Sequence, residues 1–131
     1  MLIYRQQPKY ILSLFLFVLT VCAITYAEIS TATDKTGVPF TLSKGLELFN
    51  KNCSGCHGRD LLGTKKGPPF LHAFYKPSHH GDSAFYRAAL KGVTAHHWRF
   101  GNMPPVKGIT VKELDAIIPY IRWIQKDKGL F

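Results

Sequence analysis

The chain has 131 residues, 46% of them hydrophobic, with 17 Lys and Arg against 8 Asp and Glu and a net charge of +9. That length holds one domain rather than several. Three cysteines are too few for a disulfide scaffold, and the basic balance narrows the partners to nucleic acid, a membrane surface or an acidic protein.

Taken in chain order, Arg5 and Lys9 precede an uncharged apolar run from Ile11 to Ile24. Thr25-Tyr26-Ala27 then gives a small-x-small site, with cleavage expected before Glu28. Residues 1–27 therefore read as a signal peptide. The uncharged stretch Tyr10–Ala27 is at the short limit for a bilayer span, so a retained N-terminal membrane anchor is the alternative. Val21 is bulky where a lipoprotein signal has a small residue, which argues against lipidation of Cys22. An exported chain does not meet nucleic acid, which leaves an acidic protein as the expected partner for the +7 that remains without Arg5 and Lys9. Residues 28–40 are polar and Thr-rich, with Gly37 and Pro39, and read as a flexible linker.

From 41 to 131 no strand alternation and no repeat appears, so this domain is expected to be all-α. The first helix is expected over Leu42–Asn52, with Thr41 or Ser43 as N-cap. Leu42, Leu46, Phe49 and Cys53 recur along it at helical spacing. The second is expected over Ser83–Lys91, capped by Asp82 and ended by Gly92, with Phe85, Ala88 and Ala89 inward. The third runs from Val111 to about Lys126 behind a Thr110–Glu113 capping box. Leu114, Ile117, Ile118, Ile121 and Ile124 form its apolar stripe. Pro119 lies inside this helix and is expected to bend it.

The chemistry lies in Cys53-Ser54-Gly55-Cys56-His57. C-x-x-C-H is the attachment signature of a c-type haem: two thiols for thioether bonds, and a histidine beside them for the iron. Two other readings compete. A redox-active C-x-x-C needs a strand before it and a helix after it, whereas here a helix precedes and a glycine-rich loop follows. A zinc site needs two further ligands, for which His72, His79 and His80 are available, but at no usual zinc-module spacing.

Met103 is the only methionine besides Met1. A thioether suits low-spin haem iron, and Pro104 and Pro105 stiffen the backbone beside it. Pro68, eleven residues after His57, is placed for its loop to bring a backbone carbonyl to the far imidazole nitrogen. Trp98 and Arg99 are candidates for the haem pocket, on the propionate side.

These residues resemble those of the class I, monohaem, mitochondrial-type cytochrome c family over residues 41–128. Gly45 and Phe49 before the motif, Ile117 and Tyr120 in the last helix, Gly67-Pro68 and Met103 each match a position of the family pattern. The resemblance implies about three core helices around one covalent haem c, with the N- and C-terminal helices crossing at Gly45. It implies thioether attachment at Cys53 and Cys56, and His57 and Met103 as axial iron ligands. It further implies a periplasmic electron carrier, not an enzyme, that passes single electrons between redox proteins. A haem subunit of a larger anchored oxidoreductase, or a haem sensor with a labile distal ligand, are the alternatives. Two histidine pairs, His79-His80 and His96-His97, depart from the pattern. The sequence leaves open whether they contact propionates, bind copper or zinc, tune the haem with pH, displace Met103, or lie on the surface.

Overall fold

The structure, a computed structural model, describes residues 12–22, 33 and 36–131. It divides into two units, residues 1–41 and 42–131. In the first, residues 12–22 form helix α1, with apolar side chains such as Leu14 and Phe17 exposed. Thr33 and Pro39 form an isolated bridge. The cleavage site expected before Glu28, both ends of the apolar run and most of the 28–40 linker lie outside the described residues. No described helix is long and apolar enough to cross a membrane.

The second unit is helical, with no β-strand among the described residues. Its helices are α2 (Ser43–Asn52), α3 (Ser54–His57), α4 (Asp82–Lys91) and α5 (Val111–Asp127), with a 3-10 turn at Ala73–Tyr75. A further 3-10 turn, Phe40–Leu42, leads into α2. That turn moves the N-cap of α2 to Leu42, which makes no side-chain cap bond, so neither Thr41 nor Ser43 takes the expected role. Likewise Gly81, not Asp82, caps α4. Asp82 is the first residue of that helix, and its carboxylate accepts from Arg122 Nε at 2.7 Å.

Helix α5 carries the core. The expected capping box forms, with Glu113 N donating to Thr110 Oγ1 and Thr110 N to Glu113 Oε2. This bond set holds the Glu113 carboxyl below its usual range. Leu114, Ile117, Ile118 and Ile121 are buried as the stripe requires, joined by Tyr120 and Gln125. The helix continues through Pro119, which sits on its exposed face.

Helices α2 and α5 cross at a glycine. A Cβ on Gly45 would lie 2.3 Å from Ala116 O and 2.7 Å from Tyr120 Cβ, so only hydrogen fits there. One turn on, Phe49 is fully buried, its ring 5.5 Å from that of Tyr120. The helix crossing thus joins the residues immediately before the C-x-x-C-H motif to the most buried stretch of the chain.

Candidate functional site

The C-x-x-C-H motif begins where α2 ends, with Cys53 between α2 and α3. Cys53 closes α2 with its N–H on Phe49 O, and its own carbonyl accepts from the N–H groups of Cys56 and His57. The resulting single turn, α3, puts Cys53, Cys56 and His57 along one wall of a cavity of about 760 Å³. That volume is in the ~300–1,000 Å³ range of cofactor pockets. Gly58 ends the turn with φ near 78°.

The loop after the motif folds back onto it. Thr64 Oγ1 donates to Cys56 O at 2.7 Å, and Gly67 packs so closely that a Cβ would meet Cys56 O at 3.0 Å. This contact brings the Pro68 carbonyl to 2.9 Å from His57 Nδ1. A carbonyl only accepts, so Nδ1 carries the proton and Nε2 the lone pair. Burial holds His57 below the usual imidazole range, partly offset by the Pro68 hydrogen bond. The ring is neutral at neutral pH, and its orientation is fixed further by Phe70, stacked on it at 4.1 Å and 16°.

Cys53 contrasts with a redox-active thiol. Burial first, and the neighbouring Cys56 second, push it up to about 11, whereas catalytic C-x-x-C thiols are shifted down. The zinc reading also fails on geometry. Among the described residues, the one cluster of three or more possible metal ligands is His79, His80 and His97, and it includes neither cysteine.

Met103 lies at the far end of a closed loop. Its N–H and carbonyl exchange hydrogen bonds with Val93, each 2.9 Å, and Ala95 N donates to Asn102 Oδ1. Gly92 makes this closure possible, because a Cβ there would lie 2.6 Å from Met103 O. Met103, Pro68 and Trp98 all line the cavity, as do Phe85, Ala88 and Ala89 of α4. Arg99 is exposed and does not line it.

Three residues outside the motifs, Phe70, Arg122 and Gln125, organise this wall. Phe70 is buried at the centre of an aromatic cluster with His57, Phe49, Tyr75 and Phe85. Arg122 donates to Tyr75 O, His80 O, Gln125 Oε1 and Asp82, and its guanidinium lies 4.8 Å from the Phe85 ring. Gln125, fully buried, donates in turn to Phe70 O at 2.8 Å. Gln125 continues the face of Leu114, Ile118 and Ile121, and its place on that stripe was the one signal of its burial available in the sequence.

The cavity's chemistry fits a haem. Its wall combines a neutral imidazole, a thioether and two thiols with mostly apolar side chains. Among the described residues the buried Trp98 Nε1 has no hydrogen-bond partner, which leaves it able to donate to a carboxylate in the cavity. Tyr75, raised mainly by burial, feels that N–H as a lowering influence without reaching hydrogen-bond geometry.

No curated protein and no solved structure matches the chain. Residues 42–125 match the sequence model of the cytochrome c family, described as "Cytochrome c". That match covers well over half the chain and coincides with the helical unit that contains the cavity. The protein therefore belongs to the cytochrome c family, has its all-helical class I fold and carries covalently bound haem c.

Proposed function

We propose that this protein is an exported monohaem cytochrome that passes single electrons between redox proteins through a His/Met-ligated haem. The observation that carries this reading is one cavity lined at once by Cys53, Cys56, His57 and Met103. When bound, haem c supplies an iron that gains and loses one electron.

In this reading Cys53 and Cys56 would tether the haem through thioether bonds from their thiols. His57 offers Nε2 to the iron, while the Pro68 carbonyl holds the Nδ1 proton and raises the basicity of the ring. Phe70, against the imidazole face, restricts its rotation. Met103, which lines the same cavity, would hold the iron through its thioether. The Val93 bridge and Pro104-Pro105 hold the Met103 backbone still between oxidation states. Trp98 Nε1 donates to a propionate. With His57 and Met103 both holding the iron, no iron site would remain for a substrate, and the protein would act as a carrier and not an enzyme.

The basic surface, with exposed Lys51, Lys65, Lys66 and Lys107, steers acidic redox partners to the haem edge. Residues 1–27 direct the chain to the periplasm, and residues 10–27 are the stretch that would tether it to the membrane if retained. A mature N-terminus at Glu28 marks a soluble carrier, and an intact Met1 marks a subunit tethered to the membrane by that segment.

Carbon monoxide tests the closed iron. The reduced protein at neutral pH is expected to bind it slowly or not at all, as read by the Soret shift. Rapid binding overturns firm Met103 ligation and favours a sensor or enzyme with a labile distal ligand.

A further inference from the structure

Five of the six histidines, all but His57, gather around the two loops that flank α4. None of them belongs to the C-x-x-C-H motif, although His80, His96 and His97 also line the cavity. His79 and His80 sit on the turn whose N–H groups return to Lys76 O, just before α4. His96 and His97 sit on the loop that Val93 and Met103 close, just after it. The side chains from the two loops meet, with His79 Nε2 3.1 Å from His97 Nε2. One ligand atom from each of His79, His80 and His97 lies within 4.8 Å of the others.

Two nitrogens bound to one tetrahedral ion at ~2.0–2.1 Å stand about 3.3 Å apart. The His79–His97 spacing is close to that value. Bringing in the third ligand requires a side-chain shift on the order of 1 Å, well within rotamer freedom. The tautomers suit a cation as well. Phe74 O accepts the His80 Nδ1 proton and Thr94 O accepts the His96 Nδ1 proton, so both rings have their lone pairs on Nε2. A metal-bound histidine commonly has its other nitrogen tied to a carbonyl in this way. The His79–His97 pair shares a single proton between two facing nitrogens. A cation takes both lone pairs, and the displaced proton moves to Nδ1 of the same neutral ring, so no net proton is released. Aromatic packing orients the cluster, with Phe74 stacked on His97 at 4.1 Å and Tyr75 5.5 Å from His80.

We propose that His79, His80 and His97 form a second metal site, separate from the haem iron, that binds an imidazole-seeking divalent cation of the Zn²⁺ or Cu²⁺ class. Three neutral imidazoles with an open fourth position are a known donor set for such ions. His96, its ring 4.3 Å from that of His97, borders that position. The bound ion pins the turn before α4 to the loop that leads into Met103. It therefore stabilises the segment that presents the thioether.

The test uses untagged holoprotein titrated with Zn²⁺ by calorimetry, alongside His79→Gln and His97→Gln. Wild type is expected to bind one ion and to melt at a higher temperature with Zn²⁺ present. Each variant is expected to bind more than roughly 100-fold more weakly, since even outer-shell partners of a metal are worth about 10–100-fold. The melting shift should vanish with it. His79 is exposed, so its replacement leaves the fold intact and keeps the test informative if His97→Gln misfolds. Cu²⁺ is expected to bind at the same stoichiometry and more tightly. Wild type that holds no ion at micromolar Zn²⁺ or Cu²⁺ overturns the proposal. Binding that survives His79→Gln unchanged, or that abolishes the optical signature of the native haem ligands, overturns it as well.

Discussion

Gly45→Ala is expected to destabilise the folded protein by about 2 kcal/mol, although alanine is the better helix former. Exchanging a helical glycine for alanine gains about 0.5–1 kcal/mol in an open site. Here the new Cβ would lie 2.3 Å from Ala116 O and 2.7 Å from Tyr120 Cβ. Neither atom is the tip of a flexible side chain, so α2 and α5 have to separate. Overpacking of this kind costs about 1–3 kcal/mol and sometimes more, so the clash outweighs the propensity. The loss falls on Phe49, Ile117 and Tyr120, all almost fully buried at the crossing. Gly45→Val, two methyl groups larger than the alanine variant, is expected to abolish folding. Denaturant midpoints of the holoprotein check this, with Gly55→Ala as control, since a Cβ there meets nothing within 4 Å. An unchanged midpoint for Gly45→Ala means that the helices do not cross this closely.

The second large effect is at Arg122. Its side chain is 13% exposed, whereas that of its ion-pair partner Asp82 is 61% exposed. An ion pair with one partner so exposed is worth under ~1 kcal/mol. The backbone carbonyls of Tyr75 and His80 are the more important partners, each accepting at 2.6 Å from Arg122. Arg122→Ala strands both, together with Gln125 Oε1, and hydrogen bonds to charged donors contribute about 1.5–3 kcal/mol each. We expect Arg122→Ala to cost about 3 kcal/mol and Asp82→Ala less than 1 kcal/mol. Arg122→Lys is expected to rescue little, because a single ammonium cannot span four acceptors in the plane of a guanidinium. Thermal melts of the three variants decide this. Equal losses for Asp82→Ala and Arg122→Ala would make the ion pair, not the carbonyl clamp, the source of stability.

Residues with strong periodicity were legible in the sequence. Helix α5 is the clearest case, because its capping box and apolar stripe point to the same register. The Gly45–Tyr120 contact was also legible, from the resemblance to the family pattern. The caps were less so: Leu42 caps α2 because a 3-10 turn displaces the expected residues, and Asp82 begins α4 because Arg122 draws its carboxylate. Helix α3 is one turn long, and no apolar repeat of that length has a period to read. Arg122 and Gln125 were missed because polar side chains on a helix are ordinarily solvated, and their burial depends on carbonyls about fifty residues away.

The site followed the same rule. Cys53, Cys56 and His57 are adjacent in sequence, so local spacing identified them. The Pro68 carbonyl reaches His57 as the loop reading anticipated, whereas the stacking of Phe70 on that ring had no sequence signal. The histidine pairs are separated by all of α4, and only the return of both loops to one end of that helix brings them together.

The proposed carrier depends on His57 and Met103 both holding the iron of a haem fixed at Cys53 and Cys56. The most direct measurement is the optical spectrum of the purified protein in both oxidation states, beside that of Met103→Ala. The expected result is a c-type reduced spectrum, and in the oxidised protein a weak far-red band that Met103→Ala abolishes. A wild-type protein without that band, or a Met103→Ala variant that keeps it, contradicts ligation of the iron by Met103.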